Sequence, residues 1–350
     1  MKFLVTGGWF DSSGEGFLAE VDLASGRSRE LLRWTPPPHL RVPAKGFAGG
    51  CVGGDGNLYI AAHAAVIRVD PQRWQITGVL HHPCFNDLHH VSAHRNRLYV
   101  SNTGLGALDV FTLDGCFLGS HSLLPAWVNH RRIAGEDPPD WPATLSPGWD
   151  GTSTTSWQTA GRSDSYHDDA QSRRALPFHR LKVRDHLHPN HACVTERQSL
   201  VTCLYDGSVR DLRDWSVVYQ EAGLFPHDGV LRDGHFWLTS IDGRVLALDA
   251  SDGKVSGEVV TRRSLFELGH WGWCRGLAVT DDLFCVGLTE VRRGRLPKHH
   301  WSERPPEGSE TSVLAVERES GRLAARVDLT DRERHAKIYS LILWEDAWAE

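Results

Sequence analysis

The 350-residue sequence has no CxxC pair, no Lys/Arg-rich block, no apolar run of membrane-spanning length and no long amphipathic helical pattern. Each absence removes a class of protein. The seven cysteines are scattered, with Cys51, Cys193, Cys203 and Cys285 inside apolar strand runs, which suits buried reduced thiols better than a disulfide framework. A formal net charge of −6 and the lack of a cluster of cations to neutralise phosphates argue against nucleic acid as a general partner and favour a small molecule or a protein. The first residues, MKFLVTGGWF, hold one Lys and three apolar residues before Thr6, too few for a signal-peptide core. The expectation is therefore a soluble, cytoplasmic protein with no membrane partner.

What the sequence does have is Gly, Trp and turn dipeptides in quantity, spaced so as to suggest an all-β fold. Residues 225–249, FPHDGVLRDGHFWLTSIDGRVLALD, show one complete unit. Three short runs alternate apolar and polar residues, as half-buried antiparallel strands do. They are separated by polar turns at Arg232–Asp233 and Asp242–Gly243.

The same meander recurs at intervals of roughly 36 to 41 residues, the length of a four-stranded propeller blade. Blade one covers 46–83, blade two 86–124, blade three 187–222 and blade four 225–262, while blade five covers 271–330 with an insertion at 292–311. The tail, 337–350, looks like an innermost strand without successors, and 1–34 like three strands without a predecessor. Joined, they make blade six and close the ring with no exposed edge. The fold expected is a single-domain, six-bladed β-propeller, with a lid insertion at 125–186 between blades two and three. Both insertions belong on the mouth where the innermost strands begin, because strands alternate direction.

Setting the innermost strands in register places Gly49/Gly50, His89/His90, His191, His227/Asp228, Cys274/Arg275 and Tyr339/Ser340 at equivalent leading positions. Three successive blades thus offer histidine. Imidazoles converging on the axis of a rigid ring suggest a metal site with His89 or His90, His191 and His227 as ligands. Calcium, which wants an oxygen cage, does not suit this set. Arg275 is the candidate to hold an anionic group, Tyr339 the candidate to move a proton, and the glycines of blade one leave a sector open for substrate. Asn129 to Arg132, Asp164 to Asp169 and His299 to Trp301, on the insertions, are secondary candidates, more simply read as solvated loop polarity.

The blade pattern resembles the six-bladed propellers of the NHL and gluconolactonase (senescence marker protein) type over the whole chain. The axial histidines resemble those of streptogramin lyase and the carotenoid-cleaving oxygenases. Gluconolactonase-like enzymes hold calcium with Glu, Asn and Asp where this chain has His89 or His90, His191 and His227, so lactonase activity does not carry over. The oxygenases and the lyase have seven blades, and the oxygenases set four axial histidines around iron.

The resulting expectation is a metal-dependent enzyme acting on a small, anionic organic molecule. An oxidoreductase using iron or copper is preferred to a metal-dependent lyase or hydrolase, with zinc as a further choice of metal. The alternative is a non-catalytic propeller that binds a protein or peptide.

Overall fold

The computed structural model describes residues 1–123, 187–291, 309–331 and 333–344. These form six four-stranded antiparallel sheets. Five of them run outward in chain order from an innermost strand: Phe47–Val52, Leu88–His94, Pro189–Val194, Pro226–Arg232 and Trp273–Val279. In the sixth, Ala336–Trp344 is innermost and is followed by Lys2–Trp9, Gly16–Asp22 and Arg27–Trp34. The six innermost strands touch one another in a closed circuit, so the sheets are blades around an axis. The fold is a six-bladed β-propeller. No helix among the described residues is long and apolar enough to cross a membrane.

Strand pairing follows the apolar periodicity. In blade four, Phe236 and Leu238 of the second strand are fully buried and pack against Leu246 and Leu248 of the third. Phe3, Phe47, Phe236 and Phe284 are all fully buried between blades, each worth ~2–3 kcal/mol in apolar burial. Blade six is closed by antiparallel register from Lys2↔Trp344 to Trp9↔Ala336, which ties the two ends of the described chain into one sheet. One turn differs from the sequence expectation: Arg232 pairs with His235, so the turn is Asp233–Gly234, with φ of 49° and 70°. Two consecutive positive φ values match the twist of a tight hairpin, and an Asp-Gly pair is what that geometry selects.

Every innermost strand also breaks its ladder near its leading end. The register shifts lie between Phe47 and Gly50, Leu88 and His90, Pro189 and Ala192, Pro226 and Gly229, and Arg275 and Leu277. In blade six, Ser340 and Ile338 pair with Thr6 and Gly7, and Tyr339 is skipped. An extra residue in a bulge re-aims side chains that strict alternation would send to opposite faces. The polar backbone freed in this way finds side-chain partners. Thr202 and Thr239 hydroxyls accept from the His191 and Asp228 N–H groups at 3.2 Å each. Hydroxyls also bridge neighbouring blades: Thr6 donates to the Ala48 carbonyl at 2.6 Å, Thr202 to that of His227 at 3.0 Å and Thr289 to that of Ile338 at 3.1 Å. The bulges are thus held from the blade alongside.

Candidate functional site: the bulged mouth of the axis

The bulges deliver two connected sets of side chains to the leading mouth. The deeper set forms a belt from blade to blade. A Cβ on Gly49 would lie 2.2 Å from His90 Cδ2, so only glycine admits that ring. His90 in turn stacks on His191, with ring centroids 3.7 Å apart and planes at 24°. His191 Nδ1 stands 4.0 Å from Asp228 Oδ1, and Asp228 Oδ2 accepts the Gly276 backbone N–H at 2.7 Å. Gly276 has φ of 79° and lies against the Ser340–Leu341 backbone of blade six, where a side chain would collide. The glycine sector of blade one is therefore filled by the His90 ring and is not open for substrate.

The outer set gathers His89, His188, His227, Arg275, Tyr339, Lys45 and Lys337. The His89 ring lies 4.6 Å from that of His188, 6.2 Å from that of His227 and 6.5 Å from that of Tyr339. The Arg275 guanidinium sits over Tyr339 at 4.7 Å and over Trp273 at 5.2 Å. Lys337, 1% exposed, donates to the Ala44 carbonyl and stands 5.2 Å from the Tyr339 ring. Lys45 donates to Asp87 Oδ1 at 2.6 Å, and His63 Nδ1 meets the same oxygen at 3.1 Å. Several residues leading into these strands carry positive φ without being glycine: Ala44 at 55°, Asp87 at 52°, His188 at 54° and His335 at 57°. Such backbone is disfavoured, and both mouths share it: Trp74 at 54°, Arg95 at 53°, Trp215 at 65° and Asp233 at 49° take it in turns at the trailing end.

Burial decides the charge states. It pushes His89 and His90 well below the ordinary imidazole value, His191 down to about 4, and His227 down despite the Asp228 carboxylate. These rings are neutral at pH 7, so the 4.0 Å approach of His191 to Asp228 is not an ion pair. Burial works against ionised Asp87 and Asp228, but Lys45 holds Asp87 well below the carboxylate range, and the His227 contact lowers Asp228. Tyr339 is unusual. Burial alone would raise its phenol, yet Lys337, Arg275 and Lys45 together bring it down to about 7. Lys337 falls to about 8, through burial first and its cationic neighbours second, with Tyr339 opposing.

A notch of about 10 Å³ opens among Lys45, His63, Asp87, His89 and Tyr339, room for about one water-sized group. The much larger cavity of 630 Å³ lies at the opposite mouth, between Lys2, Asp22, Arg232, Asp281 and Trp344. It contains none of the bulged residues, which gather around the smaller one.

All six residues singled out by register are at the leading mouth. His89, the bulge residue, lines the notch, while His90 belongs to the deeper belt. Among the described residues no three His, Cys, Asp or Glu side chains are arranged to hold a metal ion. The geometry gives the reason. His90 and His191 lie face to face, and the Nδ1 atoms of His89 and His227 are taken by the Asp87 carbonyl at 2.9 Å and by Asp228 at 2.9 Å. Register reasoning missed Lys45, Asp87 and Lys337. Of these only Lys337 left a signal, two residues before Tyr339 on the same strand. The secondary candidates at 129–132, 164–169 and 299–301, and the lid expected at 125–186, lie outside the described residues.

No family model matches the chain, and no curated protein does. Solved structures do. A Bacteroides caccae protein of unknown function superposes with a TM-score of 0.57 at 9% identity, covering 97% of each chain. A chain of a nidogen/laminin complex gives 0.56 at 9% identity, with 98% of each covered. A Bacteroides fragilis protein provisionally assigned as a 6-phosphogluconolactonase gives 0.50 at 11% identity, covering 95% of this chain and 83% of the other. What the likeness shows is the propeller fold. The neighbours are too diverse in kind, and too distant in sequence, to carry an activity across.

Proposed function

We propose that the protein is an enzyme that takes the anionic group of a small organic molecule at the leading mouth and moves a proton with Tyr339. One observation carries this reading. Among the described residues Arg275 has no ion pair, and its Nε is buried without a hydrogen-bond partner. Lys337, close by, has a carbonyl and a phenol but no carboxylate. Lys337 is buried and Arg275 half-buried, and cations withdrawn from water without counter-ions cost stability unless a ligand supplies the missing charge.

Arg275 would grip a carboxylate or phosphate through its planar fork, already oriented by the two rings on which it lies. Lys45 adds positive charge at the notch. Lys337 keeps the Tyr339 proton labile near neutral pH, where a group with a matched pKa serves as either acid or base. The arrangement favours acid–base chemistry of the lyase or hydrolase kind, which needs no group beyond those in place. A phosphorylated sugar lactone, suggested by the name of the Bacteroides fragilis neighbour, is a reasonable first probe because it presents an anion beside a bond that acid–base groups can open.

The test is direct. In wild-type protein, ultraviolet difference titration should show one of the six tyrosines ionising near pH 7, and Tyr339→Phe should remove that step. Citrate and inorganic phosphate should raise the melting temperature of wild type and leave Arg275→Met unmoved. A propeller that binds only proteins or peptides would show neither effect.

A metal-dependent oxidoreductase or lyase is the second reading. It is favoured by three buried imidazole nitrogens without partners, His90 Nδ1, His191 Nδ1 and His227 Nε2. In the present geometry these do not form a ligand set, so no step is routed through a metal. Near-stoichiometric iron, copper or zinc in purified protein, lost in His191→Ala and His227→Ala, would support it.

A further inference from the structure

Beneath the cationic mouth lies a carboxylate that Tyr339 chemistry does not use. Asp228 is 3% exposed, and its Oδ2 faces three donors: His227 Nδ1 at 2.9 Å, the Thr239 hydroxyl at 3.0 Å and the Gly276 N–H at 2.7 Å. An ionised carboxylate only accepts, so the His227 proton sits on Nδ1 and the lone pair on Nε2, at the other edge of the ring. That Nε2 is buried and has no partner among the described residues. Native folds rarely leave a buried acceptor unmatched, and where they do the site commonly has chemical work. The His227 ring stands 6.2 Å from that of His89, which lines the notch together with Tyr339.

We infer that His227 is a second acid–base group of the axial site, a general base acting through Nε2, and that Asp228 is the positioning residue that fixes its tautomer. This rests on reading the mouth as an acid–base site for an anionic molecule, and it narrows the substrate. The molecule must carry, besides its anionic group, a C–H or O–H bond that a base can open. In the step that bond breaks, the proton goes to Nε2 and the electron pair remains on the carbon or oxygen. Asp228 stays ionised and stabilises the imidazolium formed. Tyr339, whose ring is also 6.5 Å from that of His89, is the partner that returns a proton. No oxidant or reductant is needed.

The residues of the bulge make the inference testable without a known substrate. All three donors converge on one oxygen of Asp228, so the carbonyl of Asp228→Asn can replace it, whereas Asp228→Ala removes every bond. In long-range ¹⁵N–¹H spectra of histidine-labelled protein, the signal lost in His227→Gln should show a protonated Nδ1 and a bare Nε2. Diethyl pyrocarbonate, which attacks bare imidazole nitrogen, should carbethoxylate His227, read by peptide mass. Asp228→Asn should keep the melting temperature and the tautomer yet react several-fold more slowly, because the anion is gone. Asp228→Ala should lose the tautomer preference. A proton found on Nε2, an unreactive His227 while exposed His121 is modified, or an unchanged rate in Asp228→Asn overturns the assignment. Tyr339→Phe leaves these His227 readouts in place, so a failure of the Tyr339 titration counts against the mouth reading alone.

Discussion

The two ends of the innermost strands are built on opposite principles. At the trailing end ladders are regular and charges are paired in water: Arg232 meets Asp281 at 2.8 Å with side chains 39% and 80% exposed, and Lys2 meets Glu20 at 3.4 Å. At the leading end every ladder is bulged, the Arg275 Nε is buried without a hydrogen-bond partner among the described residues, and buried Lys337 has a carbonyl and a phenol but no carboxylate. The same six strands could have been regular throughout, as their trailing halves are. Bulges repeated around one mouth, together with cations that the fold leaves without carboxylates, are what the proposed anion site calls for, and stability alone does not. The larger cavity is at the regular end and holds none of the bulged residues.

The sharpest way to break this contrast is at Arg275. Arg275→Met removes the cation and keeps an apolar stem against Trp273 and Tyr339. Binding of citrate or phosphate, followed by calorimetry, should weaken by ~10–100-fold, the worth of one charge-assisted contact. Stability should change by less than ~1 kcal/mol, because no protein partner is orphaned. Unchanged anion binding would place the mouth in the same class as the trailing end.

The next test uses pH. Tyr339 ionises at about 7 in the folded protein and Lys337 at about 8, against ~10 and ~10.4 in an unfolded chain. Between those limits the unfolded chain holds more protons, so stability rises with pH across roughly 7 to 10. For Tyr339, a depressed acid, the contribution is complete above the unfolded value and is lost as pH falls through about 7. Urea midpoints at pH 7, 8 and 9 should climb in wild type, and Tyr339→Phe should flatten the climb.

How far the sequence speaks follows from the same contrast. Period-two alternation and the turn dipeptides encode the regular parts of the blades, and they survive in the text of the chain because each position faces either core or solvent. Bulges suspend that rule. His227 and Asp228 are consecutive, and alternation sends one of them away from the axis, yet both are buried beside it. Tyr339 and His89 could be found by position because the bulge falls on them. Lys45 and Asp87 lie just before their strands, in loops whose direction depends on positive φ, and no pattern of residue types announces that. The stacking of His90 on His191 depends on Gly49, which reads in sequence as an empty place and acts in the fold as the room for a ring.

A smaller effect is expected where the leading mouth does pair its charge. Asp87 joins Lys45 and His63, with its side chain 27% exposed. Asp87→Ala leaves a half-buried ammonium and an imidazole proton unmatched. It should cost ~2 kcal/mol, below the value for a fully buried pair because water reaches the site. Denaturant unfolding of the variant measures it, and Lys45→Met on the same background should recover most of the loss, since the stranded charge is then gone.

The smallest effect belongs to the trailing end. Arg232→Ala removes an exposed pair with Asp281 in which both side chains remain hydrated. Such pairs gain little Coulomb energy, order two long side chains and are screened by salt, so the expected loss is ~0.5 kcal/mol or less. The loss should shrink further in high salt, and anion binding at the leading mouth should be untouched. A drop of several kcal/mol, measured in the same denaturant series as Asp87→Ala, would mean that the trailing charges are structural. The trailing mouth would then no longer be the hydrated counterpart against which the leading mouth stands out.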